Sequence, residues 1–84
     1  MAKWIKANSE IIEVKPTNGT DFSLEELQGF VGGYIEIVYL DSERIMVVNE
    51  EGIINDLPFN EKASSIVGQL IAGDVLVCKS EEVR

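Results

Sequence analysis

The chain has 84 residues, 45% of them hydrophobic, with a formal net charge of −8, one cysteine and no histidine. That length predicts one domain over residues 1–84. With Cys78 alone and no imidazole, the usual Cys/His zinc sets and histidine-activated nucleophiles are excluded within a single chain. Charge is uneven: residues 1–16 carry three lysines against two glutamates, and residues 17–84 carry four basic against thirteen acidic side chains. Because nucleic-acid affinity rests largely on phosphate neutralisation, this balance argues against DNA or RNA as a partner.

In chain order, Trp4 to Ala7 has strand propensity, Asn8-Ser9 supplies a turn, and Ile11 to Lys15 returns as a second strand that Pro16 ends or confines to an edge. Thr17 to Thr20 is a loop by composition. Ser23 and Glu26 form a capping box, and Phe22 and Leu27 occupy the positions of a hydrophobic staple. Leu24, Leu27, Phe30 and Val31 recur at helical spacing. Gly32-Gly33 is a helix stop, since glycine takes a left-handed position without a Cβ clash. It follows a helix rather than opening one, so it is no phosphate loop.

Tyr34 to Leu40 and Ile45 to Asn49 flank a polar break and predict a hairpin. Ile45, Met46, Val47 and Val48 are apolar on both faces, the pattern of a strand covered on each side. Asn49 to Gly52 is a turn, with a short strand expected over 53–55. Asn60 is an N-cap candidate for a second helix over about 61–70, whose Ser64, Ser65 and Gly68 are weak helix formers. Val75 to Lys79 is the last strand, and residues 80–84 are expected to fray.

The expected fold is therefore α+β: a small twisted, mostly antiparallel sheet of 4–6 strands at 3–7, 10–15, 34–40, 45–49, 53–55 and 74–79. Helix 23–31 packs on one face through Leu24, Leu27, Phe30 and Val31, and a second short helix covers about 61–70. No apolar run approaches the ~18 residues of a membrane span, and no secretory leader is legible. A lone cysteine suits a reducing compartment. A cytoplasmic location without membrane association is the expectation.

Several stretches together resemble a known family. They are Leu27-Gln28 with Val31-Gly32-Gly33-Tyr34-Ile35-Glu36, then Val47-Val48-Asn49-Glu50-Glu51-Gly52, Leu57-Pro58-Phe59-Asn60, and Ile71-Ala72-Gly73-Asp74-Val75. Over about Ile11 to Cys78 the chain is similar to a domain-of-unknown-function family of small proteins frequent in phage, prophage and conjugative-element genomes. Members run more directly from a Leu-Pro-x-Asn segment to the final strand, so Glu61 to Leu70 departs from the pattern. The resemblance transfers no activity. It implies a small cytoplasmic accessory protein of a mobile element.

Six short polar side chains fall between Asn49 and Asn60, namely Asn49, Glu50, Glu51, Asn55, Asp56 and Asn60. Their spacing is not that of an EF-hand loop, and turn chemistry and capping account for them. No metal and no cofactor are expected. Pro58, Asn60 and Lys62 could receive an anion at a helix start, or form only a rigid turn with its cap. Tyr34 and Tyr39 fall on opposite strand faces, leaving one for solvent or a partner. The candidate ligand or partner residues are thus Asn49, Glu50, Pro58, Asn60, Lys62 and Tyr34. No catalytic constellation is legible, and the chain is not expected to be an enzyme.

The expected function is a non-catalytic accessory binding protein of a mobile element, engaging a protein partner through an acidic surface. The alternatives are a binder of a small nucleotide-like anion and a hydrolase using carboxylates and a metal. The all-apolar strand or the edge limited by Pro16 could also pair between chains as a homo-oligomer.

Overall fold

The structure, a computed structural model, describes residues 2–83. Five strands form one sheet in the order β2-β1-β5-β4-β3, with every neighbouring pair antiparallel. The strands are β1 (Ala2–Ile5), β2 (Ile11–Val14), β3 (Ile35–Tyr39), β4 (Arg44–Asn49) and β5 (Val75–Lys79); the helices are α1 (Leu24–Val31) and α2 (Glu61–Val67). The architecture is α+β.

Helix α1 begins where its local chemistry dictates. The Ser23 hydroxyl accepts from the Glu26 N–H at 3.2 Å, and the Glu26 carboxylate accepts from the Ser23 N–H at 3.0 Å. The staple residues Phe22 and Leu27 are both buried. Gly32 ends the helix at φ 81°, its N–H donating to the Gln28 carbonyl. Leu27 and Val31 enter a buried cluster with Ala2, Val47 and Leu76. Leu24, however, is 56% exposed, which corrects its assignment to the packed stripe. It is the first helical residue and lies at the N-terminal end of the stripe, a turn before Leu27.

Strand β4 lies between β3 and β5, and Ile45 to Asn49 are all buried, as apolar residues on both faces require. Strand alternation divides its side chains between two clusters. Ile45 and Val47 join the α1 side, while Met46 and Val48 join Ile5, Val75 and Ala63 of α2. The sheet therefore buries residues on both faces.

Three further expectations are corrected. Residues 53–55 form no strand: backbone bonds from Asn55 N to Glu51 O, Asp56 N to Ile53 O and Leu57 N to Gly52 O fold them into consecutive turns. Helix α2 stops at Val67, because Gly68 turns left-handed at φ 75°. The Ser64 hydroxyl then receives the Ile71 N–H at 2.9 Å and ties the returning chain to the helix. Ser80–Glu82 is a turn of 3₁₀ helix rather than a frayed tail. It is held where Phe22 N–H donates to the Glu82 carbonyl at 2.6 Å and Val83 bridges to Phe22. Arg84 lies outside the described residues. The remaining strand ends differ from expectation by one or two residues, the usual uncertainty at element boundaries.

Candidate functional site

The loop from Asn49 to Leu57 is built by its own backbone. Besides the three turn bonds above, Gly52 N–H donates to the Asn49 carbonyl at 3.2 Å. Asn49 anchors the loop at its root: its amide donates to the Val31 carbonyl at 3.1 Å and accepts from Glu51 N–H at 2.8 Å. Gly52 is buried against the chain entering β5, where a Cβ would come within 2.7 Å of the Ala72 carbonyl oxygen. The loop is thus closed on itself and seated on Ala72.

This construction lifts two isoleucines into solvent. Ile53 is 58% and Ile54 78% exposed; beside them Phe59 is 52% and Leu70 60% exposed. Two shallow grooves join these side chains. One, of about 260 Å³, runs between Glu36, Glu50, Ile53, Ile54 and Leu70. The other, of about 210 Å³, lies between Ile53, Asp56, Phe59 and Leu70. Both carry carboxylates at the lining and no lysine or arginine. Each falls below the ~300–1,000 Å³ of ordinary small-molecule pockets, which makes them recesses for side chains.

The predicted site residues separate into two groups. Asn49 and Glu50 lie at the root of this loop, and Glu50 N–H donates to the Tyr34 carbonyl at 2.9 Å. Tyr34 is 67% exposed and borders a third recess with Asn49, Glu51 and Asn55. Tyr39 is 77% exposed, so both tyrosines face solvent, not one of them. Tyr34 precedes β3, and Tyr39 ends it at the sheet edge, where no further strand covers it.

Asn60 is 1% exposed and fully engaged. Its amide donates to the Ile5 carbonyl at 3.0 Å and the Gly73 carbonyl at 2.9 Å, and its oxygen caps Ala63 N–H at 3.0 Å. Lys62 and Pro58 are exposed. Asn60 and Lys62 therefore do not converge on one cavity, and Asn60 is a structural tie. The exposed quartet Ile53, Ile54, Phe59 and Leu70 was not singled out from sequence. The signal available was a pair of isoleucines inside an otherwise polar turn.

Among the described residues, no group of three histidine, cysteine, aspartate or glutamate side chains comes together in a way that could hold a metal ion. Burial and then the negative charge of Glu82 push the Cys78 thiol up to about 11. Trp4 is occupied: its indole N–H donates to the Phe30 carbonyl at 3.0 Å, its ring meets Phe30 edge-on at 5.3 Å, and Lys6 Nζ sits 4.8 Å from the ring centre.

A family model described as a domain of unknown function, DUF3846, matches residues 5–83. The chain belongs to the DUF3846 family. No curated protein and no solved structure matches it. The DUF3846 match spans the loop, both grooves and all four exposed apolar residues, so this surface is part of the family domain itself. No helix among the described residues of this DUF3846 domain is long and apolar enough to cross a membrane.

Proposed function

We propose that this DUF3846 chain is a non-catalytic binding protein that engages a protein partner through an acidic surface, serving a mobile genetic element as a cytoplasmic accessory. The observation that carries the reading is the lining of the two grooves around Leu70, where Glu36, Glu50 and Asp56 stand beside exposed apolar side chains with no basic residue among them. An uncompensated acidic field of this kind accelerates encounter with basic proteins and repels acidic ones. The net charge of −8 acts in the same sense over the whole molecule. The mobile-element setting is supported by the sequence resemblance alone.

The test is capture of lysate proteins on immobilised protein at low salt and at high salt, repeated with the Glu36→Gln/Glu50→Gln/Asp56→Asn variant. The expected result is a discrete set of bound proteins that is lost at high salt and lost with the variant. Capture indifferent to both changes would refute an electrostatic interface.

A further inference from the structure

We infer that the surface formed by Ile53, Ile54, Phe59 and Leu70 is a docking site for a cationic-apolar protein segment, one that presents a large apolar side chain flanked by lysine or arginine. This deepens the function proposed above and rests on it. Three observations converge. First, the four side chains are each more than half exposed and are joined by two adjoining grooves, each with room for a side chain. Scattered surface hydrophobes are ordinary, but a contiguous apolar patch with a polar rim marks an interaction surface.

Second, the patch is held in place before any partner arrives. Four backbone hydrogen bonds close the loop beneath Ile53 and Ile54, and Gly52 locks it against Ala72. A pre-ordered loop loses less conformational entropy on binding than a mobile one. Third, the rim has one sign. Glu36 and Glu50 border one groove and Asp56 the other, and neither lining contains a lysine or arginine. An apolar centre with an acidic rim is complementary to an apolar anchor between basic residues. It is not complementary to an anionic membrane, to nucleic acid or to an acidic peptide.

The test uses the purified full chain, isotope-labelled for NMR, and three synthetic peptides of equal length. One carries leucine or phenylalanine between lysines or arginines, one the same apolar residues between glutamates, and one serines between lysines or arginines. The cationic-apolar peptide should shift the amides of residues 50–57, Phe59 and Leu70, and the other two should leave them in place. Ile54→Ser and Phe59→Ser each replace a solvent-exposed side chain. Each should weaken the cationic-apolar peptide at least about tenfold, as loss of an apolar anchor does, with the remaining amide spectrum unchanged. Lys62→Ser, outside both linings, should bind as the unaltered protein does.

Shifts mapping elsewhere, equal binding of the serine-lysine peptide, or full affinity in both serine variants would overturn the docking site. So would concentration-dependent self-association abolished by Ile54→Ser, which would assign the patch to a second copy of the chain. If salt-sensitive capture from lysate survives Ile54→Ser and Phe59→Ser, the acidic-surface function stands and this docking site fails. If capture is absent altogether, both fail.

Discussion

Asn60 joins three parts of the chain with one side chain. Its amide reaches the end of β1 and the turn into β5, while its oxygen starts α2. Removing it takes one donated hydrogen bond from each of two carbonyls and leaves one helix N–H without a cap. Asn60→Ala should therefore cost about 3 kcal/mol in urea-induced unfolding. Asn60→Asp is the sharper comparison, because it preserves shape and the capping oxygen but turns an oxygen toward the two carbonyls. It should destabilise at neutral pH. If Asn60→Asp were as stable as the unaltered chain, the two donated bonds would contribute nothing. Cys78 makes a second residue-scale case. It is 2% exposed, and burial followed by the charge of Glu82 raises its thiol to about 11. Thiolate, not thiol, reacts with disulfide reagents. Labelling of Cys78 at neutral pH should proceed only through opening of the fold and accelerate with added urea. Rapid labelling of the native protein would contradict its burial.

At the scale of elements, the glycines around α1 make opposite demands. Gly29 lies in the helix with open space where a Cβ would stand. Gly29→Ala should stabilise by up to ~1 kcal/mol through helix propensity alone, a rise in Tm of about 4–8 °C for a domain of this size. A Cβ on Gly33 would come within 2.9 Å of the Asn49 amide nitrogen, the atom that donates to the Val31 carbonyl. Gly33→Ala should cost about 1–3 kcal/mol as that amide is displaced. Thermal melts of the two variants should move in opposite directions, and a shared direction would defeat the packing argument.

The same contrast explains what was legible in sequence. The capping box, the staple and the Gly32 stop operate within a few residues of one another, so spacing alone exposed them. The two-faced burial of β4 was legible because strand alternation is a local rule. The role of Asn60 was not legible as a tie, since its partner Ile5 lies 55 residues away. Nor was the exposure of Leu24, which shares the helical spacing of the buried Leu27 and Val31 and is still 56% exposed. The Ile53-Ile54 pair resembled a strand because β-branched pairs favour strands. Backbone turn bonds decided otherwise, and the patch they create depends on Phe59 and Leu70, brought alongside by the Phe59–Ala72 bridge and the end of α2.

For the whole molecule, a net charge of −8 sets two opposed responses to acid. Protonating carboxylates relieves self-repulsion and favours the compact state. Glu26 works the other way. The backbone N–H groups of Ser23 and Thr17, assisted by the Thr17 and Ser23 hydroxyls, lower its carboxyl from 4.5 to about 2. A carboxyl with a depressed value in the folded state binds fewer protons there than in the unfolded chain. Its contribution is fully present above about pH 4.5 and is lost as pH falls through about 2. Asp41 acts with the same sign, its carboxyl lowered by the N–H groups of Glu43 and Arg44 and by the Arg44 side chain. The melting temperature of the unaltered chain mixes these terms with the relief of repulsion, so its pH profile alone cannot isolate Glu26. The difference from Glu26→Gln can, because glutamine keeps a capping acceptor but has no proton to exchange. The Tm gap between the two proteins should be constant from pH 7 to about 5 and then close steadily toward pH 2. A gap that stays constant into acid would mean that the Glu26 charge does not hold the Thr17 loop to the start of α1, whatever its geometry.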